Sequence, residues 1–306
     1  MRVFVAGATG VVGRRLVPLL VAAGHRVTAV GRSPGKRAAL ARLGAAPVEV
    51  DLFDREGVAR RLEGHDAVIN VATHIPPSSG RMLLRSAWKE NDRIRREASA
   101  NLAAEALAAG AGRFVQESFA PTYADGGDRW LDESWPLRPV RYNRSVLDAE
   151  RAAAEFTAKG GVGVVLRFAA FYGDDAFHVP DAIAMIRKGW APLPGAPAAF
   201  FSSIHHDDAA SAVLAALRAR AGAYNVADDE PLSRREYVDS LAAAAGAPPP
   251  RLPPLWLTRL GGSLAELLSR SLRISNRKLR EETGWAPAFP SVREGWPEVV
   301  RLLRSA

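Results

Sequence analysis

The chain contains no cysteine, which excludes disulfides, thiolate metal sites and cysteine nucleophiles. Lysine is scarce: of the 41 basic residues only Lys36, Lys89, Lys159, Lys188 and Lys278 are lysines. No apolar run approaches the ~20 residues of a membrane-spanning helix, and no membrane partner is expected. No signal-like segment, basic then apolar then small, comes before the strand-like opening MRVFVAGATG, so a soluble cytoplasmic protein is the expectation. The net charge of +8 could mark a nucleic-acid binder. The arginines, however, are interleaved with acids, as in EGVARRLEGHD. Even the densest group, Arg93, Arg95 and Arg96, sits among Glu90, Asp92 and Glu97. That pattern reads as a solvated helix face, without a nucleic-acid partner.

What is present is an alternation of short apolar runs and amphipathic stretches. Residues 2–6, 26–30, 47–51, 67–72, 112–116 and 162–168 read as strands. Helical stretches are predicted near 33–43, 54–62, 81–109 and 142–159. The class is therefore α/β, a doubly wound parallel Rossmann sheet. After residue 170 the texture turns to proline, glycine and aromatics. A helix is expected at about 207–219 and a strand at 223–227. Ser233 with Glu236 forms a capping box for a helix to about 245, and Ser291 with Glu294 does so for the last helix. Gly284 is expected to stop the helix between them. The division is residues 1–170 for the dinucleotide domain, with 204–227 returning to it. Residues 171–203 and 228–306 form a smaller mixed substrate lobe.

The first strand runs into Gly7-Ala-Thr-Gly10-Val-Val-Gly13. Gly7 permits the tight turn, Gly10 the approach of a pyrophosphate, and Gly13 close packing of helix on strand. Thr9, Val11 and Val12 complete the loop, and the helix N-terminus supplies free N–H groups for the phosphates. An NAD site would place an acid after the second strand; here no acid occurs from 26 to 48, and Arg32 stands there with Lys36 and Arg37 behind it. Arg32 suits a 2′-phosphate, so NADP(H) is expected over NAD(H).

These motifs together resemble the extended short-chain dehydrogenases/reductases, the NAD(P)-dependent epimerase/dehydratase group. The resemblance rests on the glycine spacing, Asp51-Leu52 with Asp54, Asn70-Val71-Ala72-Thr73, and Asn91 before Asn101-Leu102. It continues through Arg167 to Gly173, Ile204 to Ala210, and Ala223 to Val226, in the family's order. It implies that Asp51 and Leu52 lie by the adenine and that Val71, Ala72 and Thr73 lie by the nicotinamide ribose. It also implies a homodimer formed through the helices near 92–109 and 142–159.

The family's chemistry uses a Ser or Thr, a Tyr as acid/base, and a Lys four residues after the Tyr. Here Tyr142 takes the tyrosine position, but Val146 stands where the lysine would be. A phenol of pKa ~10 is a poor base at neutral pH without a cation beside its anion. With Tyr123 aligned on the family's motif, the usual serine falls on Phe119. Ser118 is then the candidate hydroxyl and Thr122 the other one nearby. Among histidines, His74 is the best placed for acid/base work, ahead of His178, His205 and His206. No metal set is expected. Nucleotide-sugar members usually carry an Arg just before the Ile204 motif; Phe200 and Phe201 occupy that stretch. With the other aromatics of 171–201, this points to an apolar small molecule.

The leading expectation is thus an NADP(H)-dependent oxidoreductase acting on a carbonyl, alcohol or activated double bond of an apolar metabolite. An epimerase or dehydratase with bound NAD(P) is the alternative. A redox sensor, or a non-redox enzyme lacking the standard catalysis, is a further one.

Overall fold

Val3, Phe4, Val5 and Ala6 are all buried, so β1 (Arg2–Ala6) has no solvent face and must lie inside a sheet covered on both sides. The computed structural model, which describes residues 1–76, 78–82, 84–141, 143–256 and 262–305, places it there. β1 pairs with β2 (Arg26–Val30) and β4 (Ala67–Asn70), and β2 pairs with β3 (Ala46–Val48). On the other side β4 pairs with β5 (Arg113–Phe119), β5 with β7 (Val162–Phe168), and β7 with β11 (Gly222–Val226). The seven-stranded sheet has the order β11-β7-β5-β4-β1-β2-β3, and every pairing is parallel. This is the doubly wound Rossmann-type arrangement that the alternation predicts.

One face of the sheet is covered by α1 (Val11–Ala22), α2 (Pro34–Arg42) and α9 (His206–Ala216), through Leu16, Leu20, Leu40 and Val213. The other carries α3 (Arg55–Leu62), α6 (Ser99–Ala108) and α7 (Val146–Ala158), through Val58, Leu102 and Phe156. Two expected helices differ in the structure. The stretch 81–109 is not one helix. A short α4 (Ser79–Met82) and a 3-10 turn (Arg85–Trp88) come before α5 (Lys89–Arg93), and a π-helical turn (Ile94–Ala98) separates α5 from α6. The helix expected from 142 starts at Val146, because residues 143–145 form turns, and Tyr142 itself lies outside the described residues.

Beyond the sheet, three two-stranded pairs extend the fold: β8 (Ala170–Tyr172) with β10 (Ser203–His205), β9 (Phe200–Phe201) with β12 (Leu232–Ser233), and β6 (Trp130–Leu131) with β13 (Arg273–Ile274). A separate core packs α8 (His178–Arg187), α10 (Arg234–Ala245) and α13 (Val292–Ser305) around Ile183, Tyr237, Trp296 and Val299. α11 (Gly262–Ser269) and α12 (Arg277–Thr283) lie between α10 and α13 in the chain. No described helix is long and apolar enough to cross a membrane.

The local stops are as the residues dictate. Ser233 and Glu236 form the reciprocal capping box at α10, and Gly284, with φ of 72°, ends α12 in the left-handed region. Ser291 departs from the expected box: its hydroxyl accepts from the Arg293 N–H, and Glu294 bonds through its backbone to the Ser291 carbonyl. Ser233→Ala removes a cap that satisfies a helix N–H, and an apparent stability loss of about 1 kcal/mol is expected in urea unfolding. A change of less than about 0.3 kcal/mol would show that the box does not hold α10.

Candidate active site at the carboxyl end of the sheet

In open α/β sheets the ligand cleft lies outside the carboxyl ends of the strands, and the glycine loop lies there against the end of β4, while Tyr142 falls outside the described residues. Gly7 leaves β1 with φ of +81°, and a Cβ on it would come within 2.5 Å of Val71 and Ala72 backbone atoms. A Cβ on Gly13 would stand 2.2 Å from the Gly7 carbonyl oxygen. Only glycine lets the loop pass this close to the end of β4. Gly10 is different: its missing Cβ faces the Gly7 oxygen at 3.2 Å and nothing else within 4 Å. Gly10 is the N-cap of α1 and offers no side-chain cap, and the first turn holds no acid. The N–H groups of Val11, Val12 and Gly13 therefore open α1 with its positive dipole end unopposed, which fits a pyrophosphate.

Around this cradle, Asn70 is buried and fixed by Ser99 and Gln116, and its oxygen accepts from the Ala72 N–H at 3.2 Å. That holds Val71 and Ala72 beside the loop. The Asp51 carboxylate accepts from the Phe53 N–H, and the Leu52 carbonyl accepts from Asn101. Arg32 is exposed just before α2 and forms no ion pair among the described residues. Arg37, by contrast, is committed to Glu49 at 2.5 Å and to the Gly31 carbonyl. Arg32 is thus the cation left open at the end of β2, and Lys36 stands in the first turn of α2. The residues present fit an adenine dinucleotide with the pyrophosphate at Gly7–Gly13.

The hydroxyl candidates have internal partners. Ser118 is buried and donates to Glu150 at 2.5 Å. Thr122 donates to the Phe119 carbonyl at 2.8 Å. Glu150 lies one helical turn after Val146, on the same face of α7. It forms a two-point ion pair with Arg167 on β7, with contacts of 2.9 and 2.8 Å. Arg167 also donates to the Tyr123 hydroxyl, which in turn donates to Asn225. Burial pushes the Tyr123 phenol up to about 12 although Arg167 opposes it. A Ser118–Glu150–Arg167–Tyr123–Asn225 chain thus ties β5, α7, β7 and β11 together. Sequence reasoning missed it; the signal was Glu150 four residues after Val146. Val146 itself is buried.

The arginine cluster read as solvated is not uniformly so. Arg95 is buried and pairs with Glu117 at 3.1 Å. Arg93 lies over Phe53 and bonds Glu97, and Arg96 faces Asp148. The π-helical turn is what carries Arg95 inward. Nearby, buried Asn91 accepts from the His74 N–H, and among the described residues its amide nitrogen and both polar atoms of buried Asn143 have no partner. His74 is exposed. His206 donates from Nδ1 to the Asp175 carboxylate at 2.5 Å, and burial together with Arg15 holds its pKa below the usual histidine range. Arg15 binds Asp174, Asp175 and Asp207, locking the 174–175 segment and the start of α9 onto the cofactor helix.

A family model described as NAD(P)H-binding matches residues 7–178. Among curated proteins, a Streptomyces 3-diazoavenalumate denitrifying reductase is 34% identical over 96% of this chain and 99% of its own length. A 2-alkyl-3-oxoalkanoate reductase of Shewanella oneidensis is 28% identical over 90% of this chain and 73% of its own length. Among solved structures, Thermus thermophilus UDP-glucose 4-epimerase in complex with NAD superposes with a TM-score of 0.78 and 26% identity over the whole of both chains. A human epimerase-family protein with NADPH has the same fold, with a TM-score of 0.78 and 23% identity over 98% of this chain and 99% of that one.

Removing Glu150 leaves the buried Arg167 guanidinium without its counter-charge. Glu150→Leu is expected to lower stability by about 3–5 kcal/mol in denaturant unfolding. A loss under about 1 kcal/mol would mean that the pair does not hold the sheet edge.

Proposed function

The chain belongs to the NAD(P)H-binding family, and we propose that it is an NADP(H)-dependent reductase of the extended short-chain dehydrogenase/reductase type acting on an apolar small molecule. The observation that carries the direction is Val146, apolar and buried where the family's lysine would be. A lysine matters most when the tyrosine must be a base, because the cation stabilises the phenolate. Without it a phenol stays protonated at neutral pH, which suits a donor and not an acceptor. Oxidation of an alcohol, and the epimerase cycle that begins with one, need the base. Reduction of a carbonyl needs only the acid. Tyr142 would supply that proton, and Ser118 assists only through the position of Glu150 and α7.

The dihydronicotinamide, when bound, supplies the hydride. Gly7, Thr9, Gly10, Val11, Val12 and Gly13 would hold the pyrophosphate. Arg32 would hold the 2′-phosphate, Asp51 and Leu52 the adenine side, and Val71, Ala72 and Thr73 the nicotinamide ribose. The apolar substrate is supported by Phe177, Met185 and Trp190, which expose 40–45% of their surface on the lobe. The Streptomyces and Shewanella relatives act, by their names, on 3-diazoavenalumate and 2-alkyl-3-oxoalkanoate.

The 34% identity to a 3-diazoavenalumate denitrifying reductase supports a second reading, reduction of a diazo group. Hydride adds to the carbon of an arenediazonium, the carbon–nitrogen bond breaks, and dinitrogen leaves with the positive charge cancelled. No alkoxide forms, so no proton donor is required.

The test is NADPH oxidation by the purified protein with 2-alkyl-3-oxoalkanoates, aryl ketones and an arenediazonium. Turnover of a ketone that falls at least 10-fold in Tyr142→Phe supports the first reading. Turnover of the diazonium alone, unchanged in Tyr142→Phe, supports the second. Oxidation of none of them contradicts the reductase reading.

A further inference from the structure

Asp228 lies two residues beyond β11 and is buried, with 2% of its surface exposed. Its backbone N–H donates to the Ser203 carbonyl at 2.8 Å, and its Oδ2 accepts from the Ser203 hydroxyl at 2.9 Å. Among the described residues its Oδ1 has no hydrogen-bond partner, and no cation pairs with the carboxyl. A charged carboxylate held by one donor and no counter-charge costs free energy in the interior, a penalty that a protonated carboxyl avoids.

The groups around it add no positive charge. Asp208, in the first turn of α9, spends its carboxylate on the Ala288 and Phe289 N–H groups at 2.6 and 3.0 Å. Asp229 is paired with Arg280 at 2.7 Å and Glu230 with Arg293 at 3.4 Å. Glu294 comes from α13, Tyr172 from β8 and Tyr237 from α10. His205 on β10 meets the Tyr172 ring edge-on, with centroids 5.2 Å apart. Its Nδ1 accepts from the Asp207 N–H, so the ring is neutral, and burial holds it below the usual histidine range. Burial, with Asp208, Asp229 and Glu294 nearby, pushes the Asp228 carboxyl well above the usual carboxylate range against the Ser203 bond. Burial and Asp228 in turn push the Tyr172 and Tyr237 phenols up.

This is the junction where the last helix meets the rest of the fold. The N–H groups of Asp229 and Glu230 donate to the Pro290 carbonyl at 2.9 and 3.0 Å, while Asp208 holds residues 288 and 289. The chain entering α13 is thus fastened by the residues next to Asp228. On α13 itself, Trp296 packs against Tyr172 with ring centroids 4.9 Å apart, and a Cβ on Gly295 would come within 2.2 Å of the Tyr172 hydroxyl. In packing this close, a proton is the species that a buried carboxyl exchanges without needing a cavity.

We propose that Asp228 is a proton-operated latch, carried as a neutral carboxylic acid in the folded protein, whose ionisation loosens α13 from β8 and β10. The latch is independent of the reductase reading. An aspartate in the unfolded chain ionises near pH ~4, and the folded chain keeps the Asp228 proton to higher pH. The stabilisation is therefore complete below about pH 4 and is lost progressively as pH rises towards and through the folded value.

The experiment is urea unfolding of the full chain and of Asp228→Asn from about pH 5 to about pH 9, with hydrogen exchange of α13 followed over the same range and corrected for its intrinsic pH dependence. Asparagine keeps the shape of the side chain and does not ionise. The ratio of folding constants, variant over unaltered chain, is therefore expected to grow at least about 10-fold between about pH 5 and about pH 8. In the unaltered chain the exchange of α13 should speed up over that range more than the exchange of α6, and in Asp228→Asn it should not. Ser203→Ala removes the donor that supports the charged carboxylate, so the pH at which α13 loosens should move up. This shift is read without Asp228→Asn, and a purely structural role of Ser203 would weaken α13 at every pH and leave the midpoint in place. Parallel stability profiles, exchange of α13 that follows α6 at every pH, or a midpoint unmoved in Ser203→Ala would overturn the assignment.

Discussion

The passage of the glycine loop over the end of β4 is the constraint on which the rest of the site depends. Gly7 lies against the backbone of Val71 and Ala72, and Gly13 against the Gly7 carbonyl, at distances that no Cβ would allow. Because the two glycines close this contact, α1 starts directly above the carboxyl end of β1. Its unpaired N–H groups then lie beside the β4 exit, which Asn70 holds in place. Any widening of that contact would separate the phosphate end of the cleft from its ribose end. The cofactor geometry is in this sense a packing property before it is a recognition property.

A second constraint acts at the opposite side of the cleft. Glu150 and Arg167 are both largely buried, and they meet with two hydrogen bonds while Ser118 and Tyr123 complete the chain. Pairing is what makes two buried charges tolerable. It also commits the hydroxyls that sequence reasoning put forward for chemistry. Ser118 and Thr122 both donate inside the protein, so the proposed reaction rests on a proton from position 142 or on a substrate that needs none. Arg15, gripping three carboxylates, joins this half of the cleft to the cofactor helix. The two halves are therefore coupled through ion pairs that cross elements far apart in the chain.

Much of the fold was legible in the sequence because it depends on local patterns. Runs such as 2–6 and 162–168, apolar on both faces, have only a doubly covered parallel sheet to go to. The Ser233–Glu236 box and Gly284 act within one helical turn. The glycine spacing was equally readable, since Gly7 and Gly13 each answer a separate steric demand of the chain. What was not legible depended on partners distant in sequence. Nothing near Arg95 announces that Glu117 will receive it, and composition alone favoured a solvated face. The π-helical turn that brings the two together leaves no periodic signature. The full burial of Arg234, the first residue of α10, was hidden for a related reason: it stands inside a capping-box sequence, where an arginine in the first helical turn is ordinarily at the surface. The late start of α7 was missed because residues 143–145 continue the helical pattern but form turns.

The proposed NADP(H) site at Gly7–Gly13 and the open cation Arg32 is tested most directly by titrating the purified chain with NADPH and with NADH, and repeating both with Arg32→Ala. The account predicts tighter binding of NADPH, by at least 10-fold, and a loss of most of that margin in Arg32→Ala with NADH affinity little changed. Binding of neither nucleotide, tighter binding of NADH, or equal losses for both in the variant would contradict it.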